Sequence, residues 1–490
     1  MVNPNSKRRA NSNGGGGREK SNNNSKNNMG AWEENTMAIL DSSGFKDSQD
    51  VHDDRRLCFL EAVRSASLAS EPSTAPSWRM FDAVFQILVD CNSLELTMAS
   101  YQLLTELDKR YSRVYVMKSD KTESSSSGIV NLVVVKEAWS PFNLASGGER
   151  TAKDLCSLFD SVRFSTLIED MVQAVNKLSF DLVFKASMSA VGNLLLFQYL
   201  VNVLEDDLLP RLTVYKETLN WLLLKESVLN ILLGSRKLNF KSLVRDCMSI
   251  LLKRCHHNIP NNHQDLRSSE DTCSQSSQDC VVGLSIAVSE LEKETCVAIQ
   301  KFFKLVMELD VARKEADMHG LTSRLDGFRL PILEIIVDEL TYNRDSLPPF
   351  LVVFSEPKWK LEIILQYFSK YITKSSVRTR RSNEKSDGAT LRGMLNNFST
   401  AANTKNIVKR VTSGAAQLLL AHAFQACLSL VRDSKQIASS TERIGATLSE
   451  ICNSLISAFR NLRKTDEGLE ITSFAKEALF AAAIVLKRKP

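Results

Sequence analysis

The chain has 490 residues, 43% of them hydrophobic and 24% charged, ordinary proportions for a globular protein. Six Lys or Arg and one Glu within residues 1–30 carry the whole net charge of +5, so the other 460 residues sum to zero. A neutral body with a basic tail argues against a dedicated nucleic-acid binder, which carries a basic stripe across the fold itself. Gly (19) and Pro (11) are scarce, which suits helices better than a sheet with many tight corners.

In chain order, residues 1–30 read as a disordered basic Asn/Ser/Gly-rich tail, too polar to bury a core. Within it, Lys7, Arg8 and Arg9 are a candidate nuclear import signal. Helical periodicity begins near 55. Met80, Phe81, Val84, Phe85 and Leu88 share one face, as do Leu96, Met98, Tyr101, Leu103 and Leu104. The polar Asp90-Cys91-Asn92-Ser93 between them predicts a helical hairpin. Ile129–Val135 is β-branched and reads equally as a short strand or a buried helix. Helices are expected over 152–177, 180–206, 212–233 and 237–255, with Glu205-Asp206-Asp207 and Pro210 separating two of them.

Residues 256–280 read as a polar loop. Further helices are expected over 283–317, 331–343, 346–354, 357–373, 390–399, 404–433, 437–464 and 470–487. Pro331, Pro348 and Pro357 sit where helices begin. The expectation is an all-α, armadillo/HEAT-like helical-repeat solenoid with degenerate repeats, since no clean period emerges. Its halves are residues 31–255 and 281–490.

No signal-peptide pattern opens the sequence, and no window of 18 apolar residues predicts a membrane span. The ten cysteines are scattered among Leu, Ile and Val, as reduced thiols in cytosol or nucleus would be.

Two stretches raise the question of ATP hydrolysis. Ala145-Ser146-Gly147-Gly148-Glu149-Arg150 approaches the signature loop of ABC-type ATPases, and Ile335-Ile336-Val337-Asp338-Glu339 resembles a Mg²⁺-holding strand. A phosphate-cradling loop needs a Gly-Lys pair, and the sequence contains none. Ser146 and Glu149 read instead as a capping box, and Pro331 as the first residue of a helix whose wet edge holds Asp338 and Glu339.

Cys255, His256, His257, His263, Cys273 and Cys280 are zinc-ligand types, but their spacing fits no finger or ribbon and they read as solvated loop residues. His422, in Leu418-Leu419-Leu420-Ala421-His422-Ala423-Phe424, reads as a satisfied core histidine, and His52 and His319 as exposed. No nucleophile–base pair stands out; no catalytic residue and no cofactor is expected.

The basic run at 358–381 is the best candidate contact surface. Lys358, Lys360, Lys370, Lys374, Arg378, Arg380 and Arg381 oppose the single Glu362, a net +6, with Trp359, Tyr367, Phe368 and Tyr371 interleaved. Arg with aromatics suits a protein interface or phosphates and bases. The plain alternative is a helix with a buried Trp359/Ile363/Tyr367 stripe and solvated lysines.

Several long stretches resemble the plant family of negative regulators of systemic acquired resistance. They include T-V-Y-K-E-T-L-N-W-L-L-L-K-E-S-V-L-N-I-L-L-G-S-R-K-L-N-F-K at 213–241, K-E-A-W-S-P-F-N at 136–143, V-D-E-L-T-Y at 337–342, and P-K-W-K-L-E-I-I-L-Q-Y-F-S-K-Y-I at 357–372 running into V-R-T-R-R. The resemblance spans about 31–490 and implies an armadillo-like fold in a nuclear protein. It further implies repression of pathogenesis-related genes and a non-ATPase subunit role in a chromosome-maintenance complex of the five–six type, in DNA repair and recombination. The partners so implied are the protein subunits of that complex and transcription regulators, with DNA contact indirect and no membrane. A direct DNA-binding repressor using residues 358–381 is the alternative. An importin-like adaptor would need a Trp/Asn-lined groove, and the five dispersed Trp do not supply one.

Overall fold

A computed structural model describes residues 32–41, 49–69, 75–90, 93–118, 130–135, 138–142, 158–176, 183–257, 275–323, 329–371, 390–432 and 444–487. The tail with Lys7, Arg8 and Arg9, the Ser146–Glu149 stretch, and Lys374, Arg378, Arg380 and Arg381 lie outside the described residues. So do His263 and Cys273, and the side chains of Cys255, His256, His257 and Cys280.

The chain divides into two compact units, residues 1–111 with 137–139, and residues 112–136 with 140–490. In the first, α1 (32–38) is followed by α2 (Gln49–Arg64), α3 (Trp78–Asp90) and α4 (Leu94–Arg110). The expected hairpin is α3 and α4. Met80, Phe81, Val84, Phe85, Ile87 and Leu88 are all buried on α3, and Trp139 closes this core. Its ring stacks on Phe81 at 5.6 Å and meets Phe85 edge-on at 5.3 Å. Backbone carbonyls released where α2 loosens at Ser65–Ala69 are taken up by α4 and its end. Tyr111 Oη donates to Ser67 O at 2.9 Å and Arg110 Nη1 to Leu68 O at 3.1 Å.

The second unit opens with an antiparallel hairpin of β1 (Val114–Lys118) and β2 (Val130–Val134), in the register Val114↔Val134 to Lys118↔Val130. The ambiguous Ile129–Val135 run is therefore a strand, and its partner, unmarked in sequence, is Val114–Lys118. Then follow α5 (Ser161–Asn176), α6 (Val183–Thr218), α7 (Trp221–Lys225), α8 (Val228–Gly234), α9 (Phe240–His257) and α10 (Gln275–Met318). The remainder is α11 (Ile332–Tyr342), α12 (Leu347–Val353), α13 (Pro357–Tyr371), α14 (Leu391–Asn396), α15 (Ala401–Val411), α16 (Ser413–Arg432), α17 (Leu448–Thr465) and α18 (Ser473–Lys487). Among the described residues the protein is thus all-α apart from one hairpin. Lengths from 5 residues in α7 to 44 in α10 leave no common repeat unit. Residues 275–280, read as loop, are helical.

The centre of this unit is the pair α6 and α10. Gln198 Nε2 bonds Thr295 Oγ1 at 3.0 Å, Lys301 Nζ meets Asn202 Oδ1 at 3.0 Å and Glu205 at 2.7 Å, and Tyr215 Oη donates to Ala312 O at 3.0 Å. Partner numbers rise together along both helices, so the two run parallel. Parallel neighbours need a crossover between them, here α7 to α9. Phe164 of α5 joins their seam, 6.2 Å from Phe197 and 5.8 Å from Phe302.

The break expected at 205–210 does not occur. α6 runs through Pro210 because the charges nearby are compensated. Asp207 and Arg211, with side chains 4% and 6% exposed, pair at 3.3 Å. The second carboxylate oxygen of Asp207 accepts Val228 N–H at 2.8 Å, and Arg211 Nη1 donates to Leu223 O at 3.0 Å. One ion pair thus fastens α7 and α8 back onto α6. Removing either partner would strand a buried charge, at about 3–5 kcal/mol.

The expected single helix 404–433 is two, divided at Thr412, whose φ of 69° stops α15. The Thr412 Oγ1 then accepts Ala415 N–H at 3.3 Å and starts α16. By length and composition α16 would suffice to cross a membrane, but it is 67% buried inside the protein and is a core helix. It packs on α12, α13, α15, α17 and α18.

Candidate docking surface

α13 begins at Pro357, whose missing N–H costs nothing at a helix start. Its buried residues are Trp359, Leu361, Ile363, Ile364, Leu365, Tyr367 and Phe368. The stripe anticipated from 359, 363 and 367 is therefore present, and widened by the residues between. Neighbouring helices on several sides account for the width: α11, α14, α15 and α16 all pack against α13.

The three described lysines of the basic run point three ways. Lys358 pairs with Glu308 of α10 at 2.7 Å and lies 4.5 Å from its own neighbour's ring, Trp359. Lys370 pairs with Asp338 of α11. Lys360 is half-buried and finds no carboxylate partner among the described residues; burial pushes its ammonium down to about 8. Lys358 and Lys370 are therefore spent on joining helices, and the charge of the run passes to its arginine end at 378–381. The same economy appears at Lys304–Glu356, 2.9 Å, and Arg245–Glu339, 2.7 Å.

Asp338 and Glu339 sit on the wet edge of α11, as expected, and both are engaged in these ion pairs. Their helix starts where Asp310 Oδ2 accepts Ile332 N–H at 2.9 Å, and Arg329 grips the other oxygen of Asp310. Burial raises Asp310 against the opposing pull of Arg329.

His422 departs from its expectation. It is 6% exposed, and its Nε2 has no hydrogen-bond partner. Its ring packs 4.3 Å from Phe474 of α18. Burial, with the charge of Lys360 added, holds it down to about 4, so it is neutral at physiological pH. His52 is half-buried rather than exposed. It shares a concavity of about 280 Å³ in the first unit with Leu40, Arg56, Ala83, Gln86, Ile87 and Asp90. Among the described residues no three His, Cys, Asp or Glu cluster to hold a metal.

The surface signal that sequence reasoning missed lies on α18. Ala475, Ala478 and Ala482 are buried on its inner face, while Phe480 is 69% exposed on the outer one. A count of positions at alternating spacings of three and four would have shown it.

Residues 113–356 match the family model for the SNI1 middle domain and residues 372–490 the SNI1 C-terminal domain. The chain is 43% identical over 462 residues to the negative regulator of systemic acquired resistance SNI1 of Arabidopsis thaliana, covering 94% of this chain and 95% of that protein. No solved structure matches. Likeness of that extent makes this chain a member of the SNI1 family.

Proposed function

We propose that the protein is a non-catalytic helical scaffold of armadillo/HEAT type that restrains plant defence. It would act in the nucleus as a regulatory subunit of a chromosome-maintenance complex of the five–six type, in DNA repair and recombination. The observation that carries this reading is the near full-length likeness to a protein named as a negative regulator of systemic acquired resistance. Interlocked helices held by cross-helix ion pairs give a wall that changes little on binding, so a partner loses little to ordering it. The arginine end of the 358–381 run is assigned to partner contact, with Lys7, Arg8 and Arg9 directing nuclear import.

The test is affinity purification from plant nuclei, comparing the natural chain with an Arg378→Glu/Arg380→Glu/Arg381→Glu variant. Subunits of the complex are expected with the first, and about tenfold less with the second, at an unchanged melting temperature. Unchanged capture removes the assigned contact; capture of no such subunit by either chain removes the complex. A direct DNA-binding repressor would instead show DNA affinity of the isolated chain falling steeply with salt.

A further inference from the structure

α18 carries its apolar residues the wrong way round. From Ala478 to Leu486 it holds no polar side chain, and such a helix is ordinarily buried. Yet the face seated on α16 and α17 is built of alanines, Ala475, Ala478 and Ala482, all fully buried. Phe480 and Ile484 lie on the opposite side, while Phe474 packs on His422 of α16. Glu477, Phe480, Ile484 and Lys487 follow spacings of three, four and three, one straight seam along a helix. Phe480 is 69% exposed, Ile484 half-buried, and Glu477 and Lys487 exposed. Neither charge has an ion-pair partner among the described residues.

The seam is complementary to itself when reversed. Its four positions are symmetric about residue 482. Two such helices laid antiparallel therefore set Phe480 against the partner's Ile484, and Glu477 against the partner's Lys487, at both ends. A parallel alignment would set Glu477 against Glu477 and Lys487 against Lys487, and repulsion disfavours it. A two-fold pairing of identical surfaces needs this self-complementarity.

We propose that two copies of this chain associate through α18, packed antiparallel along Glu477, Phe480, Ile484 and Lys487 with the Phe480–Ile484 pairs at the centre. One helix pair is a small interface, so the association is weak and reversible, with a dissociation constant on the order of tens of micromolar. The inference is independent of the basic run and of the five–six type complex.

The experiment is sedimentation equilibrium of the full chain from about 1 to 200 μM, a range that brackets such a constant. The natural chain is expected to pass from monomer to dimer. Phe480→Glu should raise the dissociation constant at least about tenfold, since it puts a charge at the centre of the seam. Glu477→Lys and Lys487→Glu should each weaken the dimer, and the double exchange should restore it, because the pair is then reversed but intact. All four positions lie off the buried face, so melting curves of the dilute variants should overlay the natural chain's. A chain monomeric throughout overturns the proposal, as does a dimer indifferent to Phe480→Glu. Failure of the double exchange to recover what the single ones lose overturns the antiparallel pairing. A face that is monomeric alone but binds a different subunit through Phe480 likewise overturns association with a second copy.

Discussion

α16 and α18 touch each other and have similarly apolar sequences, yet they meet opposite surroundings. α16 packs on α12, α13, α15, α17 and α18, and thirteen of its residues are buried, among them His422. α18 buries three, all alanines. Apolar composition therefore does not decide burial in this stack. Position does: α16 lies between α13 on one side and α17 and α18 on the other, whereas among the described residues nothing covers the outer face of α18. What an apolar helix does depends on how many of its sides are already taken.

Substitutions sharpen that contrast. The largest effect is expected at Phe424, 1% exposed in the middle of α16. Phe424→Ala should cost about 3–5 kcal/mol in urea unfolding, as an aromatic-sized cavity in a close-packed core does. A smaller effect concerns charge. Since the folded protein holds His422 near 4 against an ordinary 6.5, the unfolded chain binds more protons between those values. Stability then falls as pH drops from about 6.5 towards 4. His422→Leu should remove part of that dependence, so that between pH 7 and 5 the variant's melting temperature falls about 2–4 °C less than the natural chain's. The smallest effect is expected on the outer face of α18. Phe480→Gln in dilute protein should change stability by no more than about 0.5 kcal/mol, the range for exposed sites. A loss comparable with that of Phe424→Ala would show that the face is covered after all.

Much of this architecture was legible in residues. The α3–α4 hairpin and the α13 stripe follow from spacings of three and four, and Pro331 and Pro357 mark helix starts because a ring without an N–H is tolerated there. The departures have one physical source. Asp206, Asp207 and Pro210 all disfavour a helix interior locally, and α6 continues because Arg211 and the backbone of Val228 compensate Asp207 from beyond the local window. Val114–Lys118 becomes a strand through pairing with residues 130–134. The basic run read as one surface in sequence, but Lys358 and Lys370 were already matched to Glu308 and Asp338, carboxylates 50 and 32 residues earlier. Sequence displays a charge; only the fold shows whether it is spoken for.

The parallel arrangement of α6 and α10 has a cost in time. Tyr215 waits for the carbonyl of Ala312, and Gln198 for Thr295, each 97 residues further on. During synthesis at about 5–20 residues per second, the apolar side of α6 therefore stands uncovered for roughly 5–20 s before its mate leaves the ribosome. Contacts this distant in sequence also slow refolding from denaturant. A newly made chain should thus present Tyr215, 1% exposed in the finished protein, to whatever chaperone stands at the tunnel exit.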